Sequence, residues 1–409
     1  MMILIKQLIE EGLAEWQSST QYDSFTKWYV SDQQRDEYEN KLAAFIIKLN
    51  RFMEQLPNQN ASRKLWKQKA LTEITKMMQS GDSHFFSGLN ETERTLFQDM
   101  TISFLRDVRS FDSELSLQDT MQALRNIWIL AILQCLFHKY SGYHKAMFAY
   151  SMLYPYSDNY LDDPDVSKAH KMQFNEWFTK RLKGAITPKN AHEKRISSLI
   201  AFIEEQFDRK EYPQVYEALL LIQSAQIRSL QQQDGAVSLG DDKLLEISYE
   251  KGGTSVIADG ILIDGFLDEE QQRFCMRFGF MLQLGDDIQD AISDHINAHQ
   301  TLLSNHSMQN ADTLIRKLLA YIQSSLRGSK VCDRSELLQF VEKDCFYLIF
   351  YALFQKHAIM VSQALRQTIQ YCLPLSAAFL TDLTRQYENR YSEDRLWEYV
   401  DTLIENDGY

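Results

Sequence analysis

Two aspartate-rich stretches hold the residues of this chain best suited to chemistry. In residues 150–165, Asp158 and Asp162 stand four apart and share a face if the segment is helical. Asp163 precedes Pro164, which disfavours helix at Asp163. The acids would then fall at a helix C-terminus, the wrong end of the macrodipole for negative charge. A bound cation would compensate both the dipole and the mutual repulsion. An ordinary acidic loop after a buried helix fits the same residues.

Residues 268–294 read as one long helix. Asp268 with Gln271 makes a capping box at its start. Phe274, Phe278, Met281, Leu282, Ile288 and Ile292 form its apolar side. Gln283, Asp286, Asp287, Asp290 and Asp294 converge on another side, where like charges repel. A solvated acidic face is the plain alternative. Gly279 and Gly285 lie in mid-helix, each up to ~1 kcal/mol less favourable than Ala. Their placement predicts close approach by a ligand or a neighbouring helix.

Together the two clusters say more. Carboxylates on separate helices can face each other across a bundle, and hard oxygen ligands select magnesium or manganese. Magnesium binds through a few carboxylates plus substrate phosphates, so two acidic walls imply a diphosphate between them. Lys251 precedes Gly252-Gly253 in a helical context. A helix break there would free backbone N–H groups and let Lys251 meet a phosphate; a plain turn is the alternative. The GxxxxGK[ST] pattern of a P-loop is absent. His295 and His299 have the spacing of half a zinc site, with no third ligand in view.

The elements that must position these residues read as all-α. The 15 Gly and 6 Pro among 409 residues are few, which argues against turn-rich β architectures. Helical periodicity recurs, as in Leu42, Phe45, Ile46 and Leu49. Gly and Pro punctuation, including Pro155 and Gly252-Gly253, cuts the chain into roughly a dozen helices. One domain over residues 1–409 is expected, with residues 1–60 as a possible accessory helical segment. The net charge of −13 argues against nucleic acid or an anionic membrane as partner. Five Cys without ligand spacing read as reduced core thiols of a cytoplasmic protein. The start of the chain lacks a signal-peptide pattern. No apolar run reaches the ~20 residues of a transmembrane segment.

On these residues the chain resembles the class I isoprenoid synthase superfamily. Gln283–Asp290, QLGDDIQD, is similar to its second aspartate motif, whose chain-elongating form reads FQxxDDxxD; Leu282 stands where that form has Phe. Asp158–Asp162, DNYLD, is similar to the first motif, DDxxD, with Asn159 at its second acid. Lys251 with Thr254 resembles the Lys-Thr pair between the motifs. The resemblance carries motifs over roughly residues 120–300 and only helical character elsewhere. An Arg pair after the first motif and an N-terminal Gly-Lys-x-x-Arg segment are missing; residues 165–173 offer only Lys168 and Lys171. The pattern lacks the NDxxSxxxE form of microbial terpene cyclases and is similar to bacterial large terpene synthases.

The resemblance implies a class I terpenoid synthase-like bundle around a deep apolar pocket. It implies a terpene synthase that ionises a linear isoprenyl diphosphate. A chain-elongating or condensing prenyltransferase and a non-catalytic prenyl-binding module are the alternatives. Three magnesium ions are implied, with Asp158, Asp162, Asp286, Asp287 and Asp290 as ligands. Lys251, Thr254, Gln283 and Arg228 are the implied substrate contacts. Phe148, Phe346, Tyr347, Phe350, Tyr351 and Phe354 are candidates to stabilise a carbocation through their π faces, core packing being the other reading. The resemblance also allows a homodimer.

Overall fold

In a computed structural model the described residues are 2–58, 60–79, 88–163, 165–184, 186–233, 238–305, 311–355, 360–388 and 390–405. Every regular element among them is helical, as the periodicity predicts. The chain divides into two compact units, residues 1–23 with 122–362, and residues 24–121 with 363–409.

The first unit opens with α1 (Met2–Ser18). The second begins with α2 (Asp32–Glu54), α3 (Asn60–Gln79) and α4 (Glu91–Phe111). With α5 (Leu117–Leu136) the chain returns to the first unit and builds α6 (Lys145–Leu153), α7 (Asn159–Asp162), α8 (Lys168–Lys183), α9 (Ala191–Gln206) and α10 (Pro213–Ser229). There follow α11 (Asp241–Asp264), α12 (Glu269–Ile296), α13 (Leu302–Asn305), α14 (Asp312–Arg327) and α15 (Ser335–Gln355). The second unit closes with α16 (Gln363–Cys372), α17 (Ala377–Glu388) and α18 (Glu393–Ile404).

This division falls where the sequence gives no signal. Helix α1, which lies in the segment expected to be accessory, is built into the first unit. Its Gly12 has no room for a side chain, because a Cβ there would lie 1.8 Å from the Tyr249 hydroxyl oxygen. Glu11 and Glu15 pair with Arg273 and Arg277 of α12. Trp16 packs edge-on against Phe280, which also meets Tyr249 and Tyr321.

The centre of the first unit is the pair α11–α12. The chain turns between them at Gly265, whose φ of +85° is left-handed backbone that Gly adopts without strain. The expected capping box then opens α12, with Asp268 and Gln271 each bonding the other's backbone N–H. The expected break at Gly252-Gly253 does not occur, and α11 runs through it. These glycines serve contact. A Cβ on Gly252 would lie 2.3 Å from the Gly279 carbonyl oxygen, and one on Gly279 would lie 2.0 Å from the Gly252 oxygen. The two backbones touch, and only Gly permits that.

The second unit holds its own core around Trp66, with Phe52 and Tyr399 against it. Its α4 and α18 are joined where Arg109 pairs with Asp401 and lies 4.5 Å over the Trp397 ring. All five cysteines are buried free thiols, as their spacing predicts. No helix among the described residues is long and apolar enough to cross a membrane.

Candidate functional site

Asp158 and Asp162 sit on a helical path that continues across Pro155 rather than stopping there. Proline lacks an N–H and collides with the carbonyl four residues back in an α-helix. The chain absorbs this with a wider π turn, Tyr154–Asp158, inserted between α6 and α7. The Asn159 N–H reaches back to the Tyr154 carbonyl across that turn. The Ser157 hydroxyl donates to the Leu153 carbonyl at 2.7 Å, tying the turn to the end of α6. Helix ends at Asp162 and Asp163 is extended, so the acids do lie at a C-terminus.

The second wall is the last third of α12. Asp287 is buried, and it accepts hydrogen bonds from Gln283 at 3.0 Å and from Ser248 of α11 at 3.4 Å. Asp286 and Asp290 remain open to water. Lys251 of α11 faces both walls. Burial alone would lower its pKa, but Asp162, Asp158, Asp287 and Asp286 outweigh it and hold the ammonium above its ordinary range.

The same crowding acts on the acids. Burial lifts Asp158 to about 6, with Asp162 adding repulsion and Lys251 opposing. Burial lifts Asp287 to about 7 against Gln283 and Lys251. Asp294 also reaches about 7, through burial and then the charges of Asp287 and Asp290. Asp286 faces cavity water, yet the surrounding protein raises it against the pull of Arg125.

These groups line one cavity of about 750 Å³ within the first unit. Asp158, Asp162, Asp286, Asp287, Asp290, Gln283 and Lys251 all reach it. The exposed acids mark its open end. Lys171, Arg125, Asp294 and His299 reach it too. Of these, Asp294 belonged to the acidic face read from the sequence, and His299 and Lys171 were also named there; Arg125 comes from α5, with nothing local to mark it.

Two expected substrate contacts are placed otherwise. Arg228 is bound through Nε, at 2.6 Å, and Nη2 to the two oxygens of Glu250, and does not line the cavity. Thr254 is buried and donates to the Glu250 carbonyl one turn back in α11, again off the cavity. Both placements follow from the unbroken helix, which keeps Thr254 on its own backbone and brings Glu250 beside Arg228.

The aromatic candidates lie off the cavity. Phe148, Phe346 and Phe350 are core residues, and none of the six named side chains lines the cavity. From α15 only Leu348 reaches it. The wall is mixed rather than apolar, with Ile129, Phe178, Leu219 and Val256 beside Asn126, Gln223, Gln226 and Asp259.

The histidine pair does not form a shared helical face. α12 ends at Ile296, and Ala298 takes a left-handed φ of 55°. His299 then turns toward Asp294, 3.8 Å away, while His295 meets the Ser304 carbonyl. Among the described residues, His138, Cys332 and Asp333 are the group whose ligand atoms already lie within 4.8 Å of one another. No three acids of the two walls are gathered that tightly. Compared with family models, curated proteins and solved structures, the chain matches none.

Proposed function

We propose that this cavity holds the diphosphate of a linear isoprenyl diphosphate at its acidic end, and that the chain is a magnesium-dependent class I terpene synthase. The observation that carries the reading is Lys251 standing among carboxylates from two separate walls on one cavity. The volume lies in the range of small-molecule pockets, roughly 300–1,000 Å³.

The donor set fits a hard cation. Asp158, Asp162, Asp286 and Asp290 offer carboxylate oxygens from opposite walls without forming a closed cage. That suits magnesium, which shares its coordination with water and phosphate oxygens. When bound, the metal supplies Lewis-acid assistance to departure of the diphosphate. Asp287 is held by Gln283 and Ser248 and fixes the second wall. Lys251 and Arg125 neutralise and orient the diphosphate. Leu219, Ile222, Val256 and Leu282 give the prenyl chain a surface that displaces water.

The test is diphosphate release with magnesium from allylic diphosphates of increasing length, each with and without isopentenyl diphosphate. A hydrocarbon or alcohol from a single substrate is the expected product. Asp286→Ala should reduce release by at least about a hundredfold, the scale of losing one group that stabilises developing charge. Unchanged release in that variant removes the metal role given to Asp286. A lengthened diphosphate moves the assignment to a prenyltransferase, and binding without turnover moves it to a prenyl-binding module.

A further inference from the structure

Asp259 is an acid the proposed chemistry does not use. It lies on α11 eight residues beyond Lys251, about 12 Å along the helix axis. It is fully buried, yet it forms part of the cavity wall. One oxygen, Oδ1, accepts a hydrogen bond from Asn126 Nδ2 at 2.8 Å. Asn126 is itself buried, and the same Nδ2 group also donates to the Ser151 hydroxyl at 3.0 Å. The second oxygen, Oδ2, has no partner.

A second orphan lines the same cavity at its other end: Arg228 with Glu250 and Gln214 with Gly265 set α10 antiparallel to α11 and bring Gln226 level with Gly252. Gln226 of α10 is buried and lines the cavity, and its Oε1 has no partner. Buried polar atoms are almost always paired, and one left unpaired is destabilising. Burial pushes the Asp259 carboxyl well above the ordinary carboxylate range, against the Asn126 bond. Burial thus favours the protonated form of Asp259, whose Oδ2 has no partner, and Gln226 offers an acceptor with no donor. A hydrocarbon tail would leave both unsatisfied. A hydroxyl group beside Asp259 can accept from its protonated carboxyl, and the bond reaches the oxygen that lacks a partner.

We propose that the Asn126–Asp259 pair is a recognition point for an uncharged oxygen, a hydroxyl above all, carried by the ligand away from its diphosphate end. This deepens the isoprenoid reading by naming an oxygenated chain as the preferred ligand, and it rests on that reading only for the chain's identity.

Binding of geraniol and ω-hydroxygeraniol, measured by calorimetry without magnesium, tests it. The wild-type protein should bind the ω-hydroxylated alcohol at least about tenfold more tightly, the ratio one satisfied buried group supports. Asp259→Leu should erase that preference, and the isosteric Asp259→Asn should keep part of it. If Asp259→Leu unfolds by circular dichroism, the Asp259→Asn comparison decides. Equal affinity for the two alcohols in wild type, or no binding of either, overturns the proposal. A parallel titration with magnesium and inorganic pyrophosphate separates the two claims. Pyrophosphate binding without alcohol preference leaves the acidic-end reading standing and removes this one. Alcohol preference without pyrophosphate binding does the reverse.

Discussion

The two aspartate walls face one cavity but are held in place by different means. The wall carrying Asp286, Asp287 and Asp290 belongs to a 28-residue α-helix pressed backbone-to-backbone against α11 at Gly252 and Gly279. The wall carrying Asp158 and Asp162 hangs on a π turn and one four-residue helical turn. Hydrogen bonds fix it: Ser157 to Leu153, Gln122 with Asn159, and Gln233 to Asp162 at 2.9 Å. One wall is set by backbone contact, which cannot give. The other is set by polar contacts, which can be remade when a ligand arrives.

The largest effect expected from this contrast is on folding. Gly279→Val would drive a Cβ into the Gly252 carbonyl, and no flexible side-chain end is available to move aside. Overpacking of that kind costs about 3 kcal/mol or more, so thermal melting should show a large drop in Tm or loss of folded protein. Gly285→Ala is the control. Its Cβ would meet only the flexible Leu348 side chain, at 3.1 Å from Cδ2. Helix propensity gains up to ~1 kcal/mol there, so its Tm should stay within a few degrees of wild type. Wild-type melting of Gly279→Val would show that the second wall is not fixed by this contact.

Next in size is the response to pH, which involves both walls. Asp158 titrates near 6, and Asp287 and Asp294 near 7. Below those values the acids are neutral, so Asp158 holds magnesium poorly and Asp287 and Asp294 add no negative charge to the site. Affinity for magnesium pyrophosphate should therefore rise about a hundredfold from pH 5 to pH 8, tenfold per proton released per pH unit. Stability of the ligand-free protein should move the other way. These folded-state values lie above those of the unfolded chain, so the native state binds more protons between about pH 4 and 7, and stability falls as pH rises through that window. Asp287→Asn should flatten the upper part of the melting profile. A ligand-free Tm that rises steadily from pH 5 to pH 8 would contradict the burial assigned to these acids.

The sequence made α12 legible and left much of the rest hidden, for a physical reason. Capping, apolar face and acidic face of α12 are all local patterns with the period of a helix. Gly279 also announced a close approach, though not by what. The failures were at residues whose state depends on a distant partner. Gly252-Gly253 reads as a break unless Gly279 is known to lie against it. Arg228 reads as a free cation unless Glu250 is known to face it. Arg125 and Asp259 carry no local signal, because only the packing of α5 and α11 within the first unit brings them to the cavity. The aromatic run on α15 has helical spacing, and spacing says nothing about whether the neighbour is ligand or core.

The smallest effect, and the sharpest probe of the softer wall, comes from Pro155. Pro155→Ala restores an N–H and removes the ring that forbids a regular α turn. An α turn in place of the π turn takes up one residue fewer, and each residue corresponds to about 100° around the axis. Asp158 and Asp162 would then be rotated away from the direction in which Lys251 meets them. The helix itself should gain, since Ala is the better helix former by about 3 kcal/mol in a helix interior. The expected outcome is a Tm equal to or above wild type together with roughly tenfold weaker magnesium pyrophosphate binding, the size of one misplaced charged contact. Such a split between stability and binding would show that Pro155 serves the position of the acids rather than the fold. If affinity is kept while Tm rises, the first wall has remade its contacts around the ligand, and the contrast in rigidity between the walls is greater than the hydrogen bonds alone imply. If Tm falls with affinity, the π turn is a packing requirement of the first unit, and the first wall is as firmly set as the second.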